Sequence, residues 1–200
     1  MDAIVEAALR KWPNVPHCYG WLALDTRGNW FMRDERIQHA GPFPQVKGSR
    51  VEHDKLRAFI ERNYAADARG AWFFQNGPQR VYIELEAAPY IWRVADAAGW
   101  PVTSHTGLPA VVNGAWLDET GRLFLDTDIG FGLVHSMDMG VAAQAVEAVE
   151  AVEAVEAVEG VEGVEGVEGS AWPAWRPEAL PFAQMPARFG YRLQPQPDQP

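Results

Sequence analysis

Short apolar runs separated by turn signals dominate the first 140 residues. Residues 20–24 and 29–33 form one pair of such runs, and residues 114–117 and 122–125 form another. A third pair, 71–74 and 80–85, is joined by Asn76-Gly77, and Ala87-Ala88-Pro89 is expected to send residues 90–94 back along it. Paired runs of this length around tight turns are typical of β-hairpins. The pattern therefore predicts an antiparallel β-meander.

The turns share an Asp-x-x-Gly pattern. It occurs at residues 25–28, 67–70, 96–99 and 118–121, each time followed by a large apolar residue within two positions. Aspartate accepts a hydrogen bond from the backbone two residues on, and glycine supplies the positive φ that ends the turn. The strand tryptophans Trp21, Trp30, Trp72, Trp92 and Trp116 are expected to pack in the core as cross-strand partners.

Two segments carry a helical period instead. Ile4, Val5, Ala8, Leu9 and Trp12 fall on one face of residues 2–12, which Pro13 ends. Ser49 and Glu52 have the spacing of a capping box, and Leu56, Phe59, Ile60 and Tyr64 continue an apolar face behind it. The expected fold class is α+β: a meander of about seven to nine short strands with one or two covering helices.

A triplet repeat separates this body from the C-terminus. Residues 145–168 are eight triplets, five Ala-Val-Glu and three Gly-Val-Glu, and they contribute eight of the acidic residues behind the net charge of −10. A period of three rotates valine around an α-helix and builds no buried stripe, and the glycines from Gly160 onward disfavour helix. The predicted organisation is a globular domain over 1–140, a marginal helix fraying into a flexible linker over 141–169, and an arm over 170–200.

The arm is rich in both proline and aromatic residues. It holds seven of the fifteen prolines together with Trp172, Trp175, Phe182, Phe189 and Tyr191. Proline disfavours helix and central strand. Two interpretations stay open, an extended arm that packs on the body and a docking peptide for another protein.

Charge and motifs exclude several classes of function. Without the repeat the net charge is −10 + 8 = −2, so global charge indicates no nucleic-acid partner, and no apolar run is long enough to span a membrane. No glycine-rich phosphate loop and no Gly-x-Ser-x-Gly elbow is present. Residues 126–130 fail the calcium-loop pattern, so neither a metal nor a cofactor is predicted.

A few polar residues remain as candidates for chemistry. Cys18, His105 and His135 are the weak catalytic candidates, because a nucleophilic cysteine needs a histidine base nearby in space. Polar groups at strand ends and turns give the candidate binding residues, which are Gln75, Asn76, Gln79, Asp126 and Asp128. The single cysteine and the acidic N-terminus, without a basic segment or long apolar run, favour a soluble cytoplasmic protein.

Four blocks of sequence carry a family resemblance. Residues 16–25, 63–67, 72–82 and 125–139, among them Trp72-Phe73-Phe74-Gln75-Asn76-Gly77-Pro78-Gln79-Arg80-Val81-Tyr82, are similar to an uncharacterised family of proteobacterial proteins of unknown function. The resemblance covers roughly residues 14–140. It implies a bacterial soluble protein and supplies no activity, cofactor or catalytic residue.

Three hypotheses of function follow. The favoured one is a non-catalytic cytoplasmic binding or accessory protein whose partner is a protein or a small molecule. The second is a hydrolase or metal-dependent enzyme that uses His105, His135 and Asp126 or Asp128. The third is an interaction protein that acts through the 145–200 tail.

Overall fold

The computed structural model describes residues 2–159 and 172–197, which belong to two compact units. The first unit is Met1–Pro89 with Pro186–Pro200, and the second is Tyr90–Met185. The Gly-Val-Glu triplets at 160–168 lie outside the described residues. The three-part division by composition stays a prediction.

A six-stranded mixed sheet forms the first unit, with strand order β3-β2-β1-β6-β5-β4. Its elements are α1 (Ala3–Lys11), β1 (Cys18–Leu24), β2 (Trp30–Met32), α2 (Glu35–Ala40), β3 (Ser49–Arg50), α3 (Asp54–Arg62), β4 (Tyr64–Ala66), β5 (Trp72–Asn76) and β6 (Gln79–Leu85). The β1–β2 and β5–β6 hairpins are antiparallel as predicted, but Asn76 pairs with Gln79 at the end of β5, so the β5–β6 turn is Gly77-Pro78 rather than Asn76-Gly77. The central β1–β6 pair is parallel.

A seven-stranded mixed sheet forms the second unit, in the order β13-β10-β11-β12-β7-β8-β9. Its elements are β7 (Tyr90–Val94), β8 (Val102–Ser104), β9 (Pro109–Ala110), β10 (Val112–Leu117), β11 (Leu123–Thr127), β12 (Gly130–Val134), α4 (Met139–Glu159) and β13 (Pro177–Ala179), and the short helix α5 (Met185–Arg188) begins at its last residue. The predicted β10–β11 hairpin is present. The β12–β7 and β10–β13 pairs are parallel.

The α+β class is confirmed, but the single meander is wrong. Residues 90–94 do not return along β6; as β7 they pair with β8 and β12 in the other sheet. Tyr90, Ile91 and Trp92 are all buried, which suits a strand covered on both faces rather than a hairpin arm with one solvated face. Residues 2–140 contain twelve strands, more than the seven to nine expected.

The helices also differ from the prediction at two points. Ser49 lies in β3, so it caps no helix; the N-cap of α3 is His53, whose Nδ1 accepts a hydrogen bond from the Leu56 backbone N–H at 3.3 Å. Helix α2 was not predicted, although Asp34 caps it by accepting from the Ile37 N–H. Three α-helices, α1 to α3, lie before residue 139, against the one or two covering helices expected for residues 1–140.

Single residues of the C-terminal segment and of the start of α4 are buried within these units. Tyr191 is buried and donates a hydrogen bond from its hydroxyl to the Ala87 carbonyl in the first unit. In the second unit Trp175 is buried, and Ala142, Ala145 and Val149 form a buried stripe on α4. No helix in residues 2–159 and 172–197 has the length and apolar character needed to cross a membrane.

Candidate functional site

An apolar cleft of about 420 Å³ opens in the first unit between helix α3 and one face of the sheet. We call it the α3 cleft. It is lined by Cys18, Trp21, Leu22, Met32, Leu56, Phe59, Ile60, Phe74, Asn76, Gln79 and Val81. None of these described lining residues is an acid, a histidine, a lysine or an arginine, so the walls carry no formal charge.

The apolar face of α3 forms one wall of the cleft. Leu56, Phe59 and Ile60 stand at positions i, i+3 and i+4 and therefore share one helical face. Ile60 is buried, and the Phe59 ring meets Phe74 of β5 edge-on with ring centroids 5.3 Å apart. These two contacts hold the helix against the sheet, while Leu56 stays accessible at the mouth of the cleft.

A β-bulge in β1 shapes the floor. Gly20 has φ +75°, and the β1–β6 pairing shifts register between Cys18 and Leu22. In an unbroken strand Trp21 would lie on the opposite face from Cys18 and Leu22. A bulge re-aims side chains, and here Trp21 lines the cleft together with both of them.

Three predicted site residues meet at the polar end of this cleft. Cys18, Asn76 and Gln79 are all lining residues. Gln79 donates from Nε2 to the Pro16 carbonyl at 2.9 Å, and the Asn76 side chain is exposed and forms no side-chain hydrogen bond within the described residues. The predicted neighbour Gln75 is buried and donates to the Gly77 carbonyl, so it stabilises the hairpin turn from inside.

The other predicted site residues lie in the second unit, where each has a structural contact. His105 accepts at Nδ1 from the Ile91 backbone N–H, and His135 accepts at Nδ1 from the Met137 N–H. Asp128 accepts from the Val111 N–H at 2.7 Å, and burial raises the pKa of Asp126. Their assignment as site residues stays a prediction.

Burial changes the chemistry of His105 most. Its Nε2 atom is enclosed, and burial lowers the pKa of the imidazole to about 3. The neutral ring is therefore the form present at physiological pH. Across residues 2–159 and 172–197, no group of three or more histidine, cysteine, aspartate or glutamate side chains is placed to hold a metal ion.

The sequence prediction missed the apolar residues of the site. Trp21, Met32 and Leu56 are 42%, 52% and 37% exposed, although Trp21 was expected in the core. Their exposure depends on the β1 bulge and on the position of α3, which the hydrophobic pattern does not encode. One local signal was available: Gly20, next to Trp21 inside an otherwise regular strand, is typical of a bulge.

Comparison with known proteins gives a family and two distant folds. The family model DUF2944, described as "Protein of unknown function (DUF2946)", matches residues 1–196. This extends the resemblance beyond residues 14–140 and confirms that the family is one of unknown function. No curated protein sequence matches the chain.

Two solved structures are similar in part. One is a DUF1285 family protein from Silicibacter pomeroyi DSS-3, with 15% identity, a TM-score of 0.44, and coverage of 70% of this chain and 81% of that one. The other is a DUF1285 family protein from Shewanella baltica OS155, with 12% identity, a TM-score of 0.40, and coverage of 59% and 86%.

Proposed function

We propose that this chain, which belongs to the DUF2944 family, is a non-catalytic binding protein. Its ligand is a small, uncharged, largely apolar molecule held in the α3 cleft. The observation that carries the proposal is the composition of the cleft, which has apolar walls and uncharged amides at one end. Ligand sites in proteins typically have volumes of about 300–1,000 Å³ and apolar linings with a few orienting polar groups.

The exposed apolar side chains support the same assignment. Trp21, Met32 and Leu56 each leave a large part of their surface in water at one place on the molecule. Covering the exposed part of an apolar side chain is favourable by about 25 cal/mol per Å² of apolar surface removed from water. A ligand that fills the cleft would gain from each of these three contacts.

The polar end indicates what else the ligand carries. The Asn76 amide offers a donor and an acceptor, and the Gln79 Oε1 stays available while Nε2 bonds to Pro16. A charged ligand would lose its hydration without meeting an opposite charge in this cleft. We therefore propose a neutral ligand with one hydrogen-bonding group. The single free cysteine supports a reducing, cytoplasmic location for this binding.

The first test is titration of the purified protein with N-phenyl-1-naphthylamine, a neutral apolar fluorophore with one N–H group. We expect a saturable fluorescence increase, weakened roughly tenfold or more by Leu56→Glu, because an apolar ligand would cover a carboxylate at the mouth and remove its hydration. Leu108→Glu is the matched control, since Leu108 is also an exposed leucine and lies outside the cleft. Equal affinities for the two variants would contradict the proposal.

Cys18 gives an independent readout because it is the only cysteine in the chain and lines the cleft. We expect the fluorophore to slow the reaction of Cys18 with the neutral reagent 4,4′-dithiodipyridine, and the protection to disappear in Leu56→Glu. Binding that leaves the rate of thiol modification unchanged would place the fluorophore elsewhere and overturn the assignment of the cleft.

A further inference from the structure

The opposite face of the same sheet carries a second cleft of different chemistry. Strand alternation sends Val81 and Gln79 to the α3 cleft, and it sends Arg80 and Tyr82 to the other face. There a polar cleft of about 560 Å³ is lined by His17, Tyr19, Ala66, Asp67, Ala68, Arg69, Arg80 and Tyr82. We call it the arginine cleft.

Asp67 is the one carboxylate among these lining residues, and both of its oxygens already accept hydrogen bonds. Its Oδ1 accepts the backbone N–H groups of Arg69 and Ala71, and its Oδ2 accepts the Tyr82 hydroxyl at 3.0 Å. Burial by itself would raise the pKa of Asp67, but these hydrogen bonds outweigh it and hold the pKa below its ordinary value. The carboxylate therefore serves the 67–70 turn and is a poor counter-ion for the rest of the cleft.

Arg80 contributes a guanidinium group to the lining of this cleft. Among the described residues no carboxylate lies within ion-pair distance of its guanidinium, which instead sits 4.4 Å from the centroid of the Phe73 ring. Stacking on an aromatic face restricts the guanidinium plane and leaves its N–H edges free to bind. Arg69 adds a second guanidinium to the lining, at 3.5 Å from Asp67.

Three aromatic rings pack against one another on one side of the cleft. Tyr19 stacks on Tyr82 with ring centroids 4.6 Å apart, and His17 meets Tyr82 edge-on at 5.8 Å. Burial, and to a smaller extent the nearby charge of Arg80, lowers the pKa of His17. The cleft lining thus holds two guanidinium groups and one carboxylate, and that carboxylate, Asp67, lies at ion-pair distance from Arg69 and not from Arg80.

We propose that the arginine cleft binds the oxyanion group, phosphate or carboxylate, of a small molecule, with Arg80 as its principal ligand. The planar guanidinium matches two oxygens of such a group, and charge-assisted hydrogen bonds of this kind are roughly twice as strong as neutral ones. Arg69 and the His17 ring complete the lining on either side. This site is separate from the α3 cleft and does not depend on the function proposed for it.

The experiment follows the His17 ring signals by NMR, assigned with His17→Gln, during titration with inorganic phosphate or acetate at constant ionic strength. Sodium chloride is the control for screening. We expect a saturable shift of the His17 signals and a rise in the pKa of His17 when the anion is bound, because the anion offsets the charge of Arg80. A larger response to phosphate or to acetate distinguishes the two sources of the oxyanion.

The variants separate binding from folding. Arg80→Gln is expected to raise the pKa of His17 without anion and to weaken the anion response roughly tenfold or more. Arg80→Lys keeps the charge, loses the planar fork, and is expected to retain part of the response. Arg50→Gln is the matched control, since Arg50 is exposed in the same unit and outside this cleft.

Two outcomes would overturn the proposal. One is a wild-type protein whose His17 signals respond to phosphate and acetate no more than to sodium chloride, and the other is an Arg80→Gln protein that responds as the wild type does. Leu56→Glu distinguishes the two proposals, because it disturbs the α3 cleft and is expected to leave the anion response intact.

Discussion

Aspartate side chains at three turns form the same pair of hydrogen bonds. Asp25, Asp67 and Asp118 each accept, at Oδ1, the backbone N–H groups two and four residues ahead, at distances of 2.8–3.0 Å. The glycine three residues ahead donates to the aspartate carbonyl and adopts positive φ. The turn chemistry predicted from Asp-x-x-Gly is confirmed at these positions.

The fourth copy of the motif differs. Asp96 forms no side-chain hydrogen bond within the described residues, and the bond that closes this turn runs from the Trp100 N–H to the Ala97 carbonyl. Trp100 itself has φ +45°, which is unusual for a residue with a side chain. The same Asp-x-x-Gly pattern therefore forms a different turn here, in the loop that joins β7 to β8.

This contrast gives a prediction at the level of single residues. Asp118→Ala is expected to lower the free energy of unfolding by about 2 kcal/mol, because the side chain is buried and its loss leaves backbone N–H groups without partners. Asp96→Ala is the matched control and is expected to stay within about 0.5 kcal/mol of the wild type. Urea denaturation measures both, and equal losses would contradict the role assigned to the Asp118 carboxylate.

At the scale of elements, the amphipathic face of helix α3 has two roles. Its sequence spacing predicts an apolar face but not which part of it is covered. In the structure Ile60 is 2% exposed while Leu56, one turn earlier, stays open at the cleft. The buried end attaches the helix, and the accessible end contributes to the binding surface.

The two ends are expected to respond differently to truncation. Ile60→Ala is expected to lower the free energy of unfolding by about 3 kcal/mol, since it leaves a cavity under the helix. Leu56→Ala is expected to cost less than about 1 kcal/mol, because much of that side chain is already in water. Among the folded proteins, we expect Leu56→Ala to weaken fluorophore binding more than Ile60→Ala does. Similar stability losses in both would show that Leu56 is packed rather than available to ligand.

Strand β1 shows a limit of prediction at this scale. The hairpin with β2 and its turn are readable from residues 20–33 because the turn chemistry is local. The partner on its other side, the parallel strand β6, lies some sixty residues away and leaves no local signal. The bulge arises in that pairing, so the placement of Trp21 in the α3 cleft depends on a long-range contact.

At the scale of the whole molecule, the net charge of the chain and the effect of acid on its stability come from different residues. The net charge of −10 owes eight units to the triplet repeat. The response of folding to acid depends on groups whose pKa values change on folding. His105 has a folded pKa of about 3 against an ordinary value of 6.5. The pKa values of Asp25, Asp67 and Asp118 lie below their ordinary value of 3.8 because hydrogen bonds outweigh burial.

These shifts predict a two-stage loss of stability in acid. Below pH 6.5 His105 becomes protonated in the unfolded chain but stays neutral in the folded chain. The free energy of unfolding therefore falls by up to about 1.4 kcal/mol per pH unit as the pH approaches 3. The turn aspartates contribute stability that is present above pH 3.8 and is lost as the pH falls through their lower folded values. Chemical denaturation at a series of pH values measures both stages.

His105→Gln isolates the first stage while leaving a side-chain acceptor at this position. We expect the variant to lose the part of the slope that His105 contributes between about pH 6.5 and pH 4.5, whatever its absolute stability, and to differ from the wild type by a constant amount above pH 7.5. An unchanged slope in the variant would show that the His105 ring takes up protons in the folded protein.

The sequence by itself determined the local features of this protein. The β5–β6 hairpin, three of the four Asp-x-x-Gly turns and the α+β class follow from hydrogen bonds and φ preferences within a few residues of one another. The grouping of Asn76 and Gln79 as candidates also follows, because both flank one tight turn.

Only the tertiary structure decided how these parts combine. The division of the strands into two mixed sheets, the parallel β1–β6 pair and the two clefts on opposite faces of that pair depend on residues far apart in the chain. The energies of such pairings come from burial and register across the sheet, which local patterns of apolar and polar residues leave open.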